Sequence, residues 1–461
     1  MNIRESSYGY WSSSQAFVWV AAGGAIGIGN MARLPYLMGQ YGGVLFLLVY
    51  LAALLLVTLP LLTTEWLVGR WARADAVDAY VRLVEAAKAH RSWIVLGWFS
   101  LISAGLILSY YSVIAGWSAA YAFRAAGGAF MGSSEATVRE VFLGLARDPE
   151  RGLSWHTIFM VMACIIVSHG VREGMERAAR VWVPIALLMA VTVCAYALVN
   201  GNTSAAMIYL LTPDLSKLGW RGIAEALHLA FFTLGLGMGV MLTLGTYLPA
   251  NAPIVRSALA VLLLDTLFSL VGGVALFAMI FSAGLDPEPG VLLTFQLLPQ
   301  ALPAGGLSTW IAVLFYCMVF IVTMASATAL LEPVTRYVME RYRSPRVFAA
   351  TSGALVIWFA GLGSLLSFSV LADVTLLGRN FFEWAQLLTG NLLAPATGLL
   401  LCVFVARILP HDLQRALWGE RHEYSFRIWS WLMRFPARIG LIVVLMYSTG
   451  LLDWFAALWS T

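Results

Sequence analysis

Four glycines and an asparagine interrupt the first long apolar run of this 461-residue chain, where residues 23–30 read GGAIGIGN. Each glycine costs about 1 kcal/mol in a helix interior, and a helix in lipid cannot leave backbone groups unpaired. Close helix packing through small residues is one explanation of such a stretch. The density of glycine together with Asn30 favours a helix that is broken at mid-membrane depth.

A second apolar run carries the same feature at residues 231–239, which read FFTLGLGMG. The two interruptions fall in the first and sixth spans, at matching places in two five-span halves, and such a pair indicates the central site of a transporter. Unwound helices expose carbonyl groups that can replace the water around a cation. The start of a half-helix offers N–H groups and partial positive charge to a carboxylate. The pattern therefore predicts one site that binds a cation and an acid group together.

Carboxylates also lie inside apolar runs, among them Asp265, Glu65 and Glu332. A carboxylate within a membrane span is costly and is a functional candidate by default. We interpret Asp265 in this way, with a purely structural role as the alternative. Glu65 and Glu332 are interpreted as structural or pathway hydrogen-bond acceptors.

The composition predicts an all-α polytopic membrane protein, because 61% of the residues are hydrophobic and 11% are charged, against roughly 25% charged in a soluble domain. Apolar runs of about 18 residues or more, each long enough to cross a bilayer, recur about eleven times. We expect a single transmembrane domain over residues 1–461. Its first repeat is expected at about 15–199 and its second at about 221–406, with an extra helix at 437–459.

The distribution of basic residues predicts the orientation. Roughly 20 of the 28 Lys and Arg residues lie in loops on the side of the N-terminus, which predicts a cytoplasmic N-terminus and, with an odd number of spans, an outer C-terminus. The formal charge of +4 indicates no nucleic-acid partner, because the basic residues flank membrane spans. No cleavable signal peptide is visible. The four cysteines lack metal-ligand spacing and are interpreted as packing residues.

Further motifs surround these positions, and together they resemble the neurotransmitter:sodium symporter family in its bacterial eleven-span branch. They are RLPY at 33–36, LPLL at 59–62, EW at 65–66, GMER at 174–177, LTPD at 211–214 and LEP at 331–333. The matches run from about Gly9 to Arg407, which is most of the chain. The resemblance implies the leucine-transporter fold, with two inverted five-helix repeats whose first and sixth helices are broken.

The resemblance implies a site for a small neutral amino acid. The backbone N–H groups of Ile28 and Gly29 and the Tyr111 hydroxyl would hold the carboxylate. The remaining contacts are the carbonyls of Ala25, Phe232 and Thr233 for the ammonium group, and a side-chain pocket of Ile107, Phe232, Gly235, Met238, Ser326 and Leu330. Gly27 stands where monoamine carriers have Asp, which favours an amino acid over an amine. The alternatives are a hydrogen-bonded packing tyrosine for Tyr111 and a hydrogen bond to its own helix for Ser326. For Phe232, Ile107 and Leu330 the alternative is plain helix packing.

Two sodium sites made of hard oxygen ligands are also implied. The first comprises the Ala25 carbonyl, Asn30, Thr233 and Asp265, and the second comprises the carbonyls of Gly23, Ile26 and Val322 with the Ser326 hydroxyl. Ala325 stands where the family usually has threonine, so the second site lacks one hydroxyl and the sodium stoichiometry stays open.

Animal members of the family place a chloride beside the first sodium. Here Tyr50, Thr233 and Ser269 match the chloride shell, but Leu229 replaces a glutamine that helps to hold the anion. Asp265 stands where the family has a neutral Asn, so its carboxylate can supply the missing negative charge. We therefore expect transport that is independent of chloride.

Two gates are expected from the same resemblance. Arg33 matches the outer-gate arginine, but Gln386 replaces its usual aspartate, so Glu383, one turn earlier, is the expected partner. Tyr8 stands where the family has the inner-gate arginine. Arg4 with Glu340 is expected to substitute for that pair.

The sequence thus predicts sodium-coupled symport of a neutral, hydrophobic L-amino acid by alternating access in the bacterial inner membrane. The expected partners are the amino acid, sodium and the lipid bilayer, without an organic cofactor. The same fold coupled to protons or to one sodium is an alternative, in which Asp265 carries the proton. A channel or membrane enzyme is disfavoured because the sequence lacks a repeated pore-lining span and a cluster of catalytic side chains. The identity of the amino acid and the oligomeric state are not readable.

Overall fold

The regular secondary structure of this protein is helical. The computed structural model describes residues 8–130, 134–302, 305–419, 423–452 and 454. Within these ranges nine helices are long and apolar enough to cross a membrane, and one bent pair makes a tenth span. The all-helical membrane architecture predicted from the composition is confirmed.

The first half of the chain begins with the predicted broken span. Helices α1 (Ser14–Ala25) and α2 (Ile28–Gln40) meet at an angle of 66°. The following helices are α3 (Val44–Ala53), α4 (Leu59–Ala72), α5 (Ala76–Ala86), α6 (Val95–Ala126), α7 (Glu135–Ala146), α8 (Pro149–Ser168) and α9 (Arg177–Asn200). A π-helical turn at Leu54–Thr58 joins α3 and α4 into one span.

The second half contains the other predicted break. Its helices are α10 (Thr203–Leu211), α11 (Leu215–Phe232), α12 (Val240–Gly245), α13 (Ile254–Ser282), α14 (Leu298–Ala301), α15 (Leu307–Tyr342), α16 (Arg346–Leu366), α17 (Phe381–Gln386) and α18 (Ala394–Val403). The sixth span stops at Phe232 and resumes at Val240. If α11 and α12 are counted as one further span, the number of spans in the described residues is consistent with the eleven predicted. The repeat bounds 15–199 and 221–406 stay a prediction.

The chain ends in three helices, α19 (His411–Trp418), α20 (Glu423–Arg434) and α21 (Pro436–Ser448). The extra helix is expected at 437–459, and the candidate span that the structure describes there runs over Glu423–Ser448. Its first helix, α20, is amphipathic, so the sequence of α20 shows no continuous apolar run. Residues 453 and 455–461 lie outside the described part of the chain.

Helix α15 is the most deeply buried of the nine candidate spans and packs along α6 at the centre of the molecule. These two continuous helices form a scaffold against which the broken helices lie. The short second half of the sixth span, α12, also packs closely on α4 through glycines. A Cβ atom on Gly69 would lie 2.0 Å from the carbonyl oxygen of Leu242, and one on Gly245 would lie 2.7 Å from the Cα of Trp66.

We predict that Gly69→Ala lowers the thermal stability of the protein, because the added methyl group must push the backbone of α12 away. Overpacking of this kind costs about 1–3 kcal/mol. The measurement is the melting temperature of the detergent-solubilised protein. Gly105→Ala in α6 is the matched control, since its Cβ would meet only side-chain atoms at 3.9 Å. An equal melting temperature for Gly69→Ala and wild type would contradict the close contact.

Candidate functional site

The break in the first span exposes backbone groups next to Tyr111. Residues Ile26 and Gly27 separate the two half-helices, and the Asn30 side chain accepts a hydrogen bond from the Gly27 N–H at 2.8 Å. A Cβ atom on Gly27 would lie 2.9 Å from the Tyr111 hydroxyl. That hydroxyl is buried and has no hydrogen-bond partner among the described residues. Glycine at position 27 thus leaves the Tyr111 hydroxyl and the start of α2 facing one small space.

The break in the sixth span depends on glycine conformation. Gly235, Gly237 and Gly239 have φ values of 63°, 73° and 73°, in the left-handed region that side chains other than glycine rarely adopt. The Gly237 N–H donates to a carboxylate oxygen of Glu65 at 2.7 Å. Glu65 is therefore a structural acceptor for the unwound backbone, as the sequence suggested.

A polar cluster around Asp265 joins the two breaks. The Asn30 amide donates to Asp265 at 2.6 Å and to the Thr233 hydroxyl at 3.1 Å. Thr233 donates to the other Asp265 oxygen at 2.9 Å, and the Tyr50 hydroxyl lies 3.5 Å from that same oxygen. The Asp265 side chain is fully buried. The structure thus places the expected first-site side chains within direct hydrogen-bond distance of one another.

The expected second cation site forms a similar group around Ser326. Its hydroxyl oxygen lies 3.2 Å from the Gly23 carbonyl oxygen, 2.6 Å from that of Ile26 and 3.0 Å from that of Val322. The three carbonyls belong to two different spans, because Val322 lies on α15 whereas Gly23 and Ile26 lie on the first span. Ala325 lines a small void beside Gly23 and Ile26, of about 10 Å³.

A cavity of about 770 Å³ lies between the two breaks. All the predicted substrate-binding residues line it: Ala25, Gly27, Ile28, Gly29, Ile107, Tyr111, Phe232, Thr233, Gly235, Met238, Ser326 and Leu330. The predicted ligands Gly23, Ile26, Val322 and Asp265 lie outside its lining. The cavity extends to Arg33, Glu383 and Gln386, so it reaches toward the expected outer gate.

Arg33 does not pair with Glu383 in this structure, in which both residues line the cavity, so the expected outer-gate pair stays a prediction. Arg33 donates to Glu225 of α11 at 2.8 Å, and its guanidinium lies 3.0 Å from the His228 ring. The Glu383 side chain instead accepts the Asn380 N–H at 2.9 Å and caps its own helix. Sequence reasoning did not identify Glu225 and His228 as partners of Arg33. The signal that could have found them is their spacing of three residues, which places both on one face of a span.

The N-terminal segment closes one end of the molecule. The Trp11 side chain is buried and donates to the Leu244 carbonyl at 3.0 Å. Ser12 donates to Glu176 through both its backbone N–H and its hydroxyl. We call the side of the membrane where this segment lies the N-terminal face.

The expected inner-gate carboxylate has other partners. Glu340 accepts from Arg336 at 2.6 Å and from the Asp75 N–H at 2.9 Å. Burial and the nearby carboxylates of Glu340 and Asp78 raise the pKa of Asp75 to about 7. The guanidinium carbon of Arg336 lies 5.0 Å from the Tyr8 ring. Arg4, the expected partner of Glu340, lies outside the described residues.

Comparisons with known proteins agree with this geometry. The model of the sodium:neurotransmitter symporter family matches residues 8–130 and 147–446. An uncharacterized sodium-dependent transporter of Bacillus subtilis, YhdH, is 31% identical over 446 residues, which cover 96% of this chain and 98% of the relative. A further uncharacterized sodium-dependent transporter, from Haemophilus influenzae, is 25% identical over 96% of this chain and 98% of its own length.

A solved structure also resembles this protein in fold. The crystal structure of MhsT in complex with L-phenylalanine superimposes with a TM-score of 0.86 at 30% sequence identity, covering 95% of this chain and 99% of MhsT. The fold class implied by the resemblance is therefore confirmed, and the family is one of transporters, not enzymes. The chain belongs to the sodium:neurotransmitter symporter family of sodium-dependent membrane transporters.

Proposed function

We propose that this protein couples the inward movement of sodium to the uptake of a neutral, hydrophobic L-amino acid, without chloride. The observation that carries the proposal is the convergence of both helix breaks on one cavity that also presents Tyr111 and an apolar wall. The likeness to MhsT, which was solved with L-phenylalanine, supports the same class of substrate.

The acid end of the substrate would lie at the start of α2. The backbone N–H groups of Ile28 and Gly29 carry the partial positive charge of a helix N-terminus, and Tyr111 has a hydroxyl free to donate. The ammonium group would meet the carbonyls exposed where the first and sixth spans are unwound, at Ala25, Phe232 and Thr233. A substrate with both charges would thus bridge the two broken helices.

The side chain of the substrate would lie against the apolar part of the cavity. Ile107 of α6, Leu330 of α15 and Met238 in the unwound stretch of the sixth span are buried residues that meet there. Gly235 leaves space beside Met238, since a Cβ atom at position 235 would lie 3.8 Å from the methionine sulfur. A pocket of this kind discriminates by only about 1–3 kcal/mol per methylene, so several hydrophobic amino acids should compete for it.

Sodium would replace hydrogen bonds that the protein now makes within itself. Asn30, Thr233 and Asp265 supply oxygen atoms for a first ion, with the Ala25 carbonyl linking this ion to the substrate. The three carbonyls around the Ser326 hydroxyl supply oxygen atoms for a second ion. This second site has one hydroxyl fewer than is usual in the family, because Ala325 replaces a threonine. This last feature favours coupling to a single sodium on the same fold. Coupling to a proton carried by Asp265 is the other alternative.

Access to the site would alternate between the two faces. In this structure the N-terminal face is closed by Trp11, while the cavity extends outward as far as Glu383. We assign the N-terminal face to the cytoplasm of a bacterial inner membrane, because most basic loop residues lie there. Arg33 and Glu225 would hold α2 and α11 together as the two half-helices move.

Removal of the Asn30 side chain should weaken sodium-stimulated uptake. In proteoliposomes loaded with a sodium gradient, Asn30→Ala should raise the sodium concentration for half-maximal L-phenylalanine uptake by at least about tenfold, or 1.4 kcal/mol. Asn200→Ala, at an exposed position at the end of α9, is the control and should behave as wild type. Uptake by wild type without sodium, or an unchanged sodium response in Asn30→Ala, would count against the assignment.

Replacing chloride by gluconate should leave wild-type uptake unchanged. Asp265 already places a negative charge beside the proposed first sodium, and a chloride at van der Waals distance from it would be repelled strongly in a dry site. Asp265→Asn should lose activity or acquire a chloride requirement. If wild-type uptake collapsed in gluconate, Asp265 could not have this role.

Charge reversal should identify the partner of Arg33. Arg33→Glu and Glu225→Arg should each lower uptake at least about tenfold, because each leaves like charges facing one another in a partly buried site. The double variant should recover much of the loss. The matched control is Arg33→Glu with Glu383→Arg, which should show no recovery. Rescue by position 383 in place of 225 would restore the pairing expected from the sequence.

A further inference from the structure

A second cavity lies at the N-terminal face, away from the central site. It has a volume of about 380 Å³ and is lined by Ala406, Arg407, Arg434, Phe435 and Arg438. Arg407 follows α18 in a π-helical turn, Arg434 ends α20 and Arg438 lies in the first turn of α21. Three separate segments therefore direct their arginines to one place.

The helices around this cavity are anchored to the end of the second span. The Arg70 guanidinium donates to the Leu417 carbonyl of α19 at 3.2 Å. The Trp429 indole of α20 donates to the Thr64 hydroxyl at 3.0 Å. The cavity thus lies where spans meet the membrane surface, on the same side as Trp11.

The positive charge in this cavity is not neutralised by the protein that the structure describes. Within those residues Arg407, Arg434 and Arg438 make neither ion pairs nor side-chain hydrogen bonds. By contrast, the neighbouring Arg415 and Arg427 both pair with Glu423 at 3.0 Å. The first turn of α21 also contains no acidic residue to offset the positive end of its helix dipole. The cavity is therefore built to receive an anion.

The surface next to the cavity is apolar and aromatic. The side chains of Trp431, Phe435 and Ile439 are 55%, 48% and 57% exposed. Tryptophan and phenylalanine in such positions are typical of helices that lie at the boundary of headgroups and acyl chains. An anion bound by the arginines would thus have hydrocarbon beside it.

We propose that this cavity binds the phosphate headgroup of an anionic phospholipid, with its acyl chains along Phe435 and Ile439. Guanidinium groups suit a phosphate because their N–H donors match its oxygens in a bidentate manner. Basic pockets between spans on the cytoplasmic side are suited to such headgroups. The bound lipid would join the ends of α18, α20 and α21, which the protein itself leaves with facing like charges.

The test is native mass spectrometry of the delipidated, full-length protein titrated with phosphatidylglycerol. Arg407→Gln should weaken the tightest phosphatidylglycerol binding about fivefold, and the Arg407→Gln, Arg434→Gln, Arg438→Gln triple variant roughly 100-fold, at about one factor of five per arginine. Arg427→Gln is the matched control and should bind as wild type. Phosphatidylcholine should bind wild type as weakly as phosphatidylglycerol binds the triple variant.

Three outcomes would overturn the proposal. These are unchanged phosphatidylglycerol binding in Arg407→Gln, equal binding of phosphatidylcholine, and displacement of the lipid by inorganic phosphate at equal concentration. The last result would mean a site for a free anion. The single variant keeps the test valid if the triple variant does not fold, because the Arg407 side chain is exposed. The measured lipid binding of the single and triple variants does not depend on which substrate the central site carries.

Discussion

Backbone groups that leave a helix inside a membrane must find partners within the protein, and the centre of this molecule is organised around that constraint. The Gly237 N–H finds Glu65 at 2.7 Å. The Gly27 N–H finds Asn30 at 2.8 Å, and the Ile26 carbonyl finds Ser326 at 2.6 Å. Glu65 and Ser326 belong to helices that are not broken, so the continuous helices hold the unwound ones. Oxygen atoms gathered for this structural reason are also the ligands that a hard cation prefers.

The two faces differ in how firmly they are closed. On the N-terminal face Arg336 of α15 is 1% exposed and donates to the Thr246 hydroxyl and to the Arg73 carbonyl, both on other segments, at 2.7 and 3.1 Å. Hydrogen bonds that involve a charged group contribute about 1.5–3 kcal/mol each. On the opposite face the Arg33 side chain is 37% exposed and its partner Glu225 is 11% exposed, and access of water to the arginine weakens this pair. Opening the N-terminal face therefore requires the loss of more, and better buried, interactions.

Ion pairs within this closed face also tie distant segments together. Glu332 is fully buried on α15 and accepts hydrogen bonds from Tyr247, after α12, and from both terminal nitrogens of Arg346 on α16. The sequence identified Glu332 only as an acceptor within the membrane. Its contacts link the end of the broken sixth span to the scaffold, so movement of that span must change the environment of a buried carboxylate.

The sequence by itself determined the helical membrane class, the two breaks and the residues around the central cavity. These follow from local properties, namely the length of apolar runs and the density of glycine, to which the family motifs add the residue roles. Tertiary structure decided which charged side chains meet. Arg33 pairs with Glu225 of α11, while Glu383 accepts from the Asn380 N–H at the start of its own helix. It also decided that Arg407, Arg434 and Arg438 share one cavity. Such pairings depend on the relative positions of helices far apart in the chain, which no local pattern encodes.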